Sequence, residues 1–201
     1  MVKEIRLYVE GGGNKDSRNE LRKAFNSYFR ELAQKGRDKG IPLRTIPCGN
    51  RNSTYEDFAK AIEDHRDAFV ALLVDSEGPV SQTPWQHLNW NPCGKNDDHC
   101  HLMVQMMEAW FIADVAKLKE FYGRGFNENA IPRDKDIERI EKSRLDSALK
   151  EATRNTSKKT YDKTRDAPRL LAIISAAKVR EASRQCDRLF NILTAQIDGR
   201  L

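Results

Sequence analysis

Two apolar runs of this 201-residue chain end on acids and then on glycine. "LYVEGGG" closes on Glu10 before Gly11, Gly12 and Gly13; "AFVALLVDSEGP" closes on Asp75 and Glu77 before Gly78 and Pro79. A carboxylate at the end of a buried strand loses solvation unless something offsets its charge. Two such charges about 5 Å apart repel by roughly 3 kcal/mol at an effective dielectric near 20. A hard divalent cation relieves that repulsion. Mg2+ takes oxygen donors of this kind, keeps several waters and bridges to phosphate. Glu77 stands two residues beyond Asp75, so an extended backbone would aim both side chains the same way. Glu108, after the run "HLMVQM", is a fourth acid at a further strand end. Gly11 and Gly12 leave room beside the acids and offer backbone N–H groups to an anion. They form neither GxGxxG nor a phosphate loop, because no Gly-Lys-Ser/Thr follows.

The elements that would position these acids follow from periodicity. Residues 4–10 read as a strand with Ile5, Leu7 and Val9 on one face. Leu21, Phe25, Tyr28, Phe29 and Leu32 predict one helix to about Lys39, capped by Asp16 or Ser17. A short strand at 41–47 carries prolines suited to a sheet edge. It is followed by the loop "CGNRNS", which holds Arg51 at the same end of the sheet, and by a helix from Ser53 or Thr54 to about His65. Residues 68–75 are apolar throughout, as in a parallel strand covered on both faces. Residues 76–99 read as a long loop containing Trp85 and Trp90, which pack under it or stack on bases. A strand at 101–106 and a helix at 108–123 follow, with Trp110 in the core. The alternation predicts an α/β fold with a mostly parallel sheet flanked by helices. Beyond a soft boundary near 125, a helical section runs to the end, with helices near 134–142 and 143–153, a polar link "TRNTSKKTYDKT", and helical material over 166–197.

Charge divides along the same line. Residues 1–114 hold 15 Lys and Arg against 17 Asp and Glu, net −2; residues 115–201 hold 20 against 13, net +7. Positive charge concentrated in one section suggests a polyanionic partner met through spread phosphate contacts. No uninterrupted apolar stretch is long enough to span a membrane, and the first residues do not read as a secretory signal, so a cytoplasmic location is expected. The four cysteines lack CxxC pairs and read as reduced thiols. Cys93, His99, Cys100 and His101 lack the paired spacing of a structural zinc site. Asp114 reads as closing a helical turn.

The motifs "VEGGG", "VDSEGPV", "WQHLNW", "HLMVQMMEAWFIAD" and "YDKTRDAPRLL" together resemble a family of small TOPRIM (topoisomerase–primase)-like bacterial proteins of defence islands. The likeness spans roughly 5–175. It implies a TOPRIM-like domain over 1–125 with a basic helical section packed on it over 126–201. It also implies an Mg2+-dependent nuclease, with Mn2+ as a substitute, acting in anti-phage defence beside an ATP-binding-cassette-like ATPase partner. Glu10 would serve as general base or acid. Asp75 and Glu77 would be ligands, and Lys163 and Arg165 would hold phosphate; Glu108 is expected to add a ligand or orient a metal-bound water. Glu77 departs from the pattern, which has Asp there and so a shorter arm. That departure keeps a second reading open, a TOPRIM-fold regulatory subunit of an ATPase complex that has lost catalysis. A phosphoacceptor domain would need a lysine at a later strand end, where Met107 and Glu108 stand instead.

Overall fold

The computed structural model describes residues 2–199. Four strands form one parallel sheet in the order β2-β1-β3-β4, where β1 is Glu4–Glu10, β2 Leu43–Gly49, β3 Ala68–Asp75 and β4 Cys100–Met103. This is a Rossmann-like α/β fold. β1 sits inside the sheet between β2 and β3, and β2 takes an edge, where Pro47 pairs with Val9. In β3 every residue from Phe69 to Asp75 is buried.

Alternation sorts the side chains of β1. Ile5, Leu7 and Val9 face the larger core, together with Phe25 and Leu32 and the C-terminal helices. Tyr8 faces the other way, with Val70, Leu72, Phe58 and Trp85. Each fully buried aliphatic chain of this kind stabilises the fold by about 1.5–3 kcal/mol. The helices joining the strands are α1 (Lys15–Tyr28), α2 (Arg30–Asp38) and α3 (Arg51–Asp64). α1 is capped by Asn14, in a capping box with Ser17, so the expected caps at Asp16 and Ser17 lie inside the helix. Asn50 plays the same part for α3 by accepting the Ser53 N–H at 2.9 Å.

Several expected helices break. The run to Lys39 divides at Phe29, whose ring packs 5.3 Å from that of Phe190. The run over 108–123 divides into α5 (Glu108–Ile112) and α6 (Val115–Tyr122), after a short α4 (Pro84–Leu88) within the long loop. The division falls at Asp114, a buried carboxylate that accepts the Ser175 N–H at 3.0 Å and pairs with Lys178 at 2.6 Å. The expected helix at 134–142 is only a short turn at Ile137–Arg139 before α7 (Lys142–Thr153). β4 stops at Met103, short of Met106. The polar link is shorter than expected too. Asp162 accepts the Arg165 N–H at 2.8 Å and caps α8 (Lys163–Leu171), which is followed by α9 (Ala176–Ala182) and α10 (Arg184–Asp198).

The section after 125 does not stand apart from the sheet. One hydrophobic cluster runs from Ile5 to Ile197 and includes Leu149, Leu170 and Leu193. The Tyr28 hydroxyl lies 3.3 Å from the Cys186 sulfur in its interior. No helix among the described residues is long and apolar enough to cross a membrane.

Candidate active site

The carboxyl ends of β1 and β3 lie side by side, and their acids meet. Glu10 Oε2 accepts the backbone N–H of Asp75 at 3.2 Å. Asp75 Oδ1 accepts the Met107 N–H at 2.8 Å, which ties the end of β3 to the turn entering α5. Glu108, the first residue of α5, is buried and accepts the Tyr161 hydroxyl at 2.9 Å. Cations are interleaved with these acids. Lys163 Nζ lies 3.8 Å from Asp75 Oδ2 and 3.3 Å from Glu108 Oε1. Arg51 Nε lies 3.7 Å from Glu10 Oε2, its Nη2 lies 3.9 Å from Glu77 Oε1, and it donates to the Asp75 carbonyl.

Burial pushes the Asp75 carboxyl up to about 7 against the pull of Lys163, and the charges of Glu10 and Glu108 push it the same way. Burial also raises Glu10 above the usual carboxylate range, although Arg51 opposes the shift. For Lys163, burial favours the neutral amine, but Glu108 and Asp75 outweigh it and hold the ammonium charged above its ordinary value.

Glu77 departs from expectation. β3 ends at Asp75, and Glu77 occupies a left-handed turn at φ 65°, so strand alternation does not govern its direction. Its carboxylate pairs with Lys142 and approaches Arg51. Gly11 is corrected as well. Its N–H donates to the Gly49 carbonyl at 2.6 Å and its own carbonyl accepts from Gly49 at 2.9 Å, so it has no free donor for an anion. Cβ atoms on Gly11 and Gly12 would come within 2.6 Å of Leu21 Cδ2 and Arg18 Cγ respectively. Their bareness serves the packing of α1. Arg165 lies outside the acid cluster, because Asp166 holds its guanidinium at 2.6 and 2.7 Å and the Thr160 carbonyl takes another donor.

The histidines and cysteines of 93–101 do not gather. His99 Nδ1 meets the Val70 carbonyl, His101 lies beside Arg188, Cys100 is in the core, and Cys93 is near Tyr55. Trp85 is buried and donates to the Asn96 carbonyl, while Trp90 packs against Tyr55.

A profile of the family described as Domain of unknown function (DUF4276) matches residues 9–194. The chain belongs to the DUF4276 family. No curated protein and no solved structure matches it. The DUF4276 span takes in every residue of the acid cluster, from Glu10 to Lys163.

The donor set of this DUF4276 chain suits a hard cation in kind. Glu10, Asp75 and Glu108 offer only oxygen, and burial is the main cause of the raised Asp75 carboxyl, with Glu10 and Glu108 adding to it. As they stand, no three His, Cys, Asp or Glu side chains among the described residues converge on one ion. The Lys163 ammonium lies against Asp75 and Glu108, and the Arg51 guanidinium against Glu10 and Glu77. The Lys163 side chain is 55% exposed, so its ammonium can swing outward on a flexible stem. Sequence reasoning missed Tyr161 and Lys142. Tyr161 stands two residues before Lys163 in "YDKT", which was a usable signal; nothing in the sequence marked Lys142.

Proposed function

We propose that this chain is an Mg2+-dependent hydrolase of phosphodiester bonds in nucleic acid, a nuclease of TOPRIM type. The observation that carries the reading is the buried Asp75 beside Glu10 at adjacent parallel strand ends, with Lys163 and Arg51 within 4 Å of the acids. Ligands of open α/β sheets collect at that edge.

Glu10, Asp75 and Glu108 would hold the ion, with Mn2+ as a substitute, once Lys163 has swung aside. When bound, the metal supplies Lewis acidity at the phosphoryl oxygens and a more acidic water. Glu10, whose proton affinity is already raised, takes the proton of the attacking water. Lys163 and Arg51 would neutralise charge on the phosphate as the water oxygen bonds to phosphorus and the bond to the ester oxygen breaks, that oxygen leaving as the alcohol after taking a proton from solvent. Tyr161 keeps Glu108 oriented through its hydroxyl. The excess of positive charge after residue 115 supports a polyanionic substrate. The TOPRIM resemblance alone supports a role in anti-phage defence and an ATP-binding-cassette-like ATPase partner. The lack of a membrane-crossing helix among the described residues is compatible with a cytoplasmic site of action.

Labelled DNA and RNA oligonucleotides, incubated with and without Mg2+ or Mn2+, test the reading. Cleavage is expected only with metal. Glu10→Gln and Asp75→Asn should each lower the rate by about 100-fold or more. Cleavage that survives both substitutions removes these acids from the chemistry.

A specific observation favours the second reading, a regulatory subunit without catalysis. Glu77 is engaged by Lys142 and Arg51 instead of joining Asp75. Calorimetry distinguishes the two: no heat of Mg2+ binding, together with a stable complex with an ATPase, would establish the regulatory role.

A further inference from the structure

Beside the acid cluster lies a cavity of about 360 Å3, walled by Gly11–Asn14 on one side and by Lys163, Thr164, Ala167 and Pro168 on the other. Its volume falls in the range of small-molecule sites. Its floor is apolar, with Leu21, Met107 and Ala167 all buried. Lys163 belongs to both places, lining this trough while its ammonium reaches Asp75 and Glu108. The backbone of Met107 also joins them, since its N–H is held by Asp75. Gly13 differs from the two glycines before it. A Cβ there would meet nothing within 4 Å, and its φ lies outside the left-handed region. Its missing side chain leaves space that packing does not need.

We infer that this trough seats the nucleoside attached to the phosphate at Lys163, with its flat apolar face on Leu21, Met107 and Ala167. The inference rests on the nuclease reading for its ligand class. A charged cluster handles phosphate, and an apolar recess sharing one lysine with it fits the uncharged unit one bond away. Short backbone groups of the glycine wall and the Asn14 side chain edge the recess, so the seat holds a base by its faces more than by its polar edge.

The test titrates adenosine 5′-monophosphate and inorganic phosphate separately into the metal-free full chain, followed by amide NMR shifts and calorimetry. The nucleotide is expected to bind about tenfold tighter than phosphate. It should shift the amides of Gly13, Leu21 and Ala167, which phosphate leaves in place. Gly13→Leu fills the recess at a position with free space. It should abolish the nucleotide's advantage and leave phosphate affinity and the melting temperature unchanged. Thr164→Phe repeats the test from the opposite wall should Gly13→Leu fail to fold. Lys163→Met should weaken both ligands. Equal affinity for nucleotide and phosphate, or nucleotide binding unaffected by both filling substitutions, overturns the proposal. Absence of metal-dependent cleavage by the unmodified chain would sink the nuclease reading, while the titration still decides the trough. Cleavage without nucleotide binding here overturns the trough alone.

Discussion

Between pH 4 and pH 7, folded Asp75 holds a proton that the unfolded chain has released, because its carboxyl is pushed up to about 7 in the fold while an exposed Asp titrates at about 3.9. The unfolded state then binds fewer protons than the folded one, so stability falls as pH rises through this window and levels off above it. The loss is on the order of a few kcal/mol. Asp75→Asn, neutral in both states, should flatten this slope and melt higher than the parent at pH 8; thermal melts at pH 5, 6, 7 and 8 read it directly. A D75N variant that loses stability as steeply as the parent would assign the slope to another group. At this scale the meeting of Glu10, Asp75 and Glu108 was legible from their places at strand ends, and Arg51 and Lys163 lie within 4 Å of these acids. Lys142 was not legible, since it reaches Glu77 from 65 residues away through packing that no local pattern encodes; Tyr161 was passed over although it stands two residues before Lys163. Arg165 was misjudged because its neighbour Asp166 captures its guanidinium, a local pairing that the resemblance outweighed.

The turn from β1 into α1 is fixed by backbone geometry. Gly12 adopts φ 81°, and a Cβ there would lie 2.6 Å from Arg18 Cγ and 2.8 Å from Arg18 Cα. Gly12→Ala should therefore destabilise the chain by about 1–3 kcal/mol in urea unfolding. Gly13→Ala, with open space around it, should be neutral or stabilise by up to about 1 kcal/mol. Equal effects at both positions would show that the turn tolerates a side chain at either. β1 and β3 were read to the residue because the alternation of one and the unbroken apolar run of the other depend on local sequence alone, whereas β2 lies two residues later than the expected 41–47 and β4 ends three residues before Met106. The break at Phe29 was missed because apolar residues continue at helical spacing across it, whereas Asp114 was read as closing a helical turn and only its distant partners Ser175 and Lys178 were hidden. Asn14 and Asn50 were legible in type as helix caps, but equally suitable neighbours hid the position.

Across the whole molecule, one face of the sheet has a core built only from residues before 125, around Tyr8, Phe58, Leu72 and Trp85, whereas the other face shares its larger core with the C-terminal helices. Tyr28 and Phe29 pack on Phe190 at 5.9 and 5.3 Å, and Arg188 binds the carbonyls of Asp97 and Cys100. A fragment of residues 1–125 should show no cooperative melting transition by circular dichroism, although it carries every strand. A sharp transition would restore the boundary at 125 as a true domain limit. That boundary is visible in sequence as a change of pattern and charge, and the core that the two sections share across it is not. The acids Glu10, Asp75 and Glu108 all precede it, whereas Lys142 and Lys163 follow it. During synthesis the anionic half therefore leaves the ribosome first, with its carboxylates unmatched by their lysines and its aromatic surface uncovered. The acid cluster gains its two lysines, and the aromatic surface its cover, only when translation has delivered both contributions.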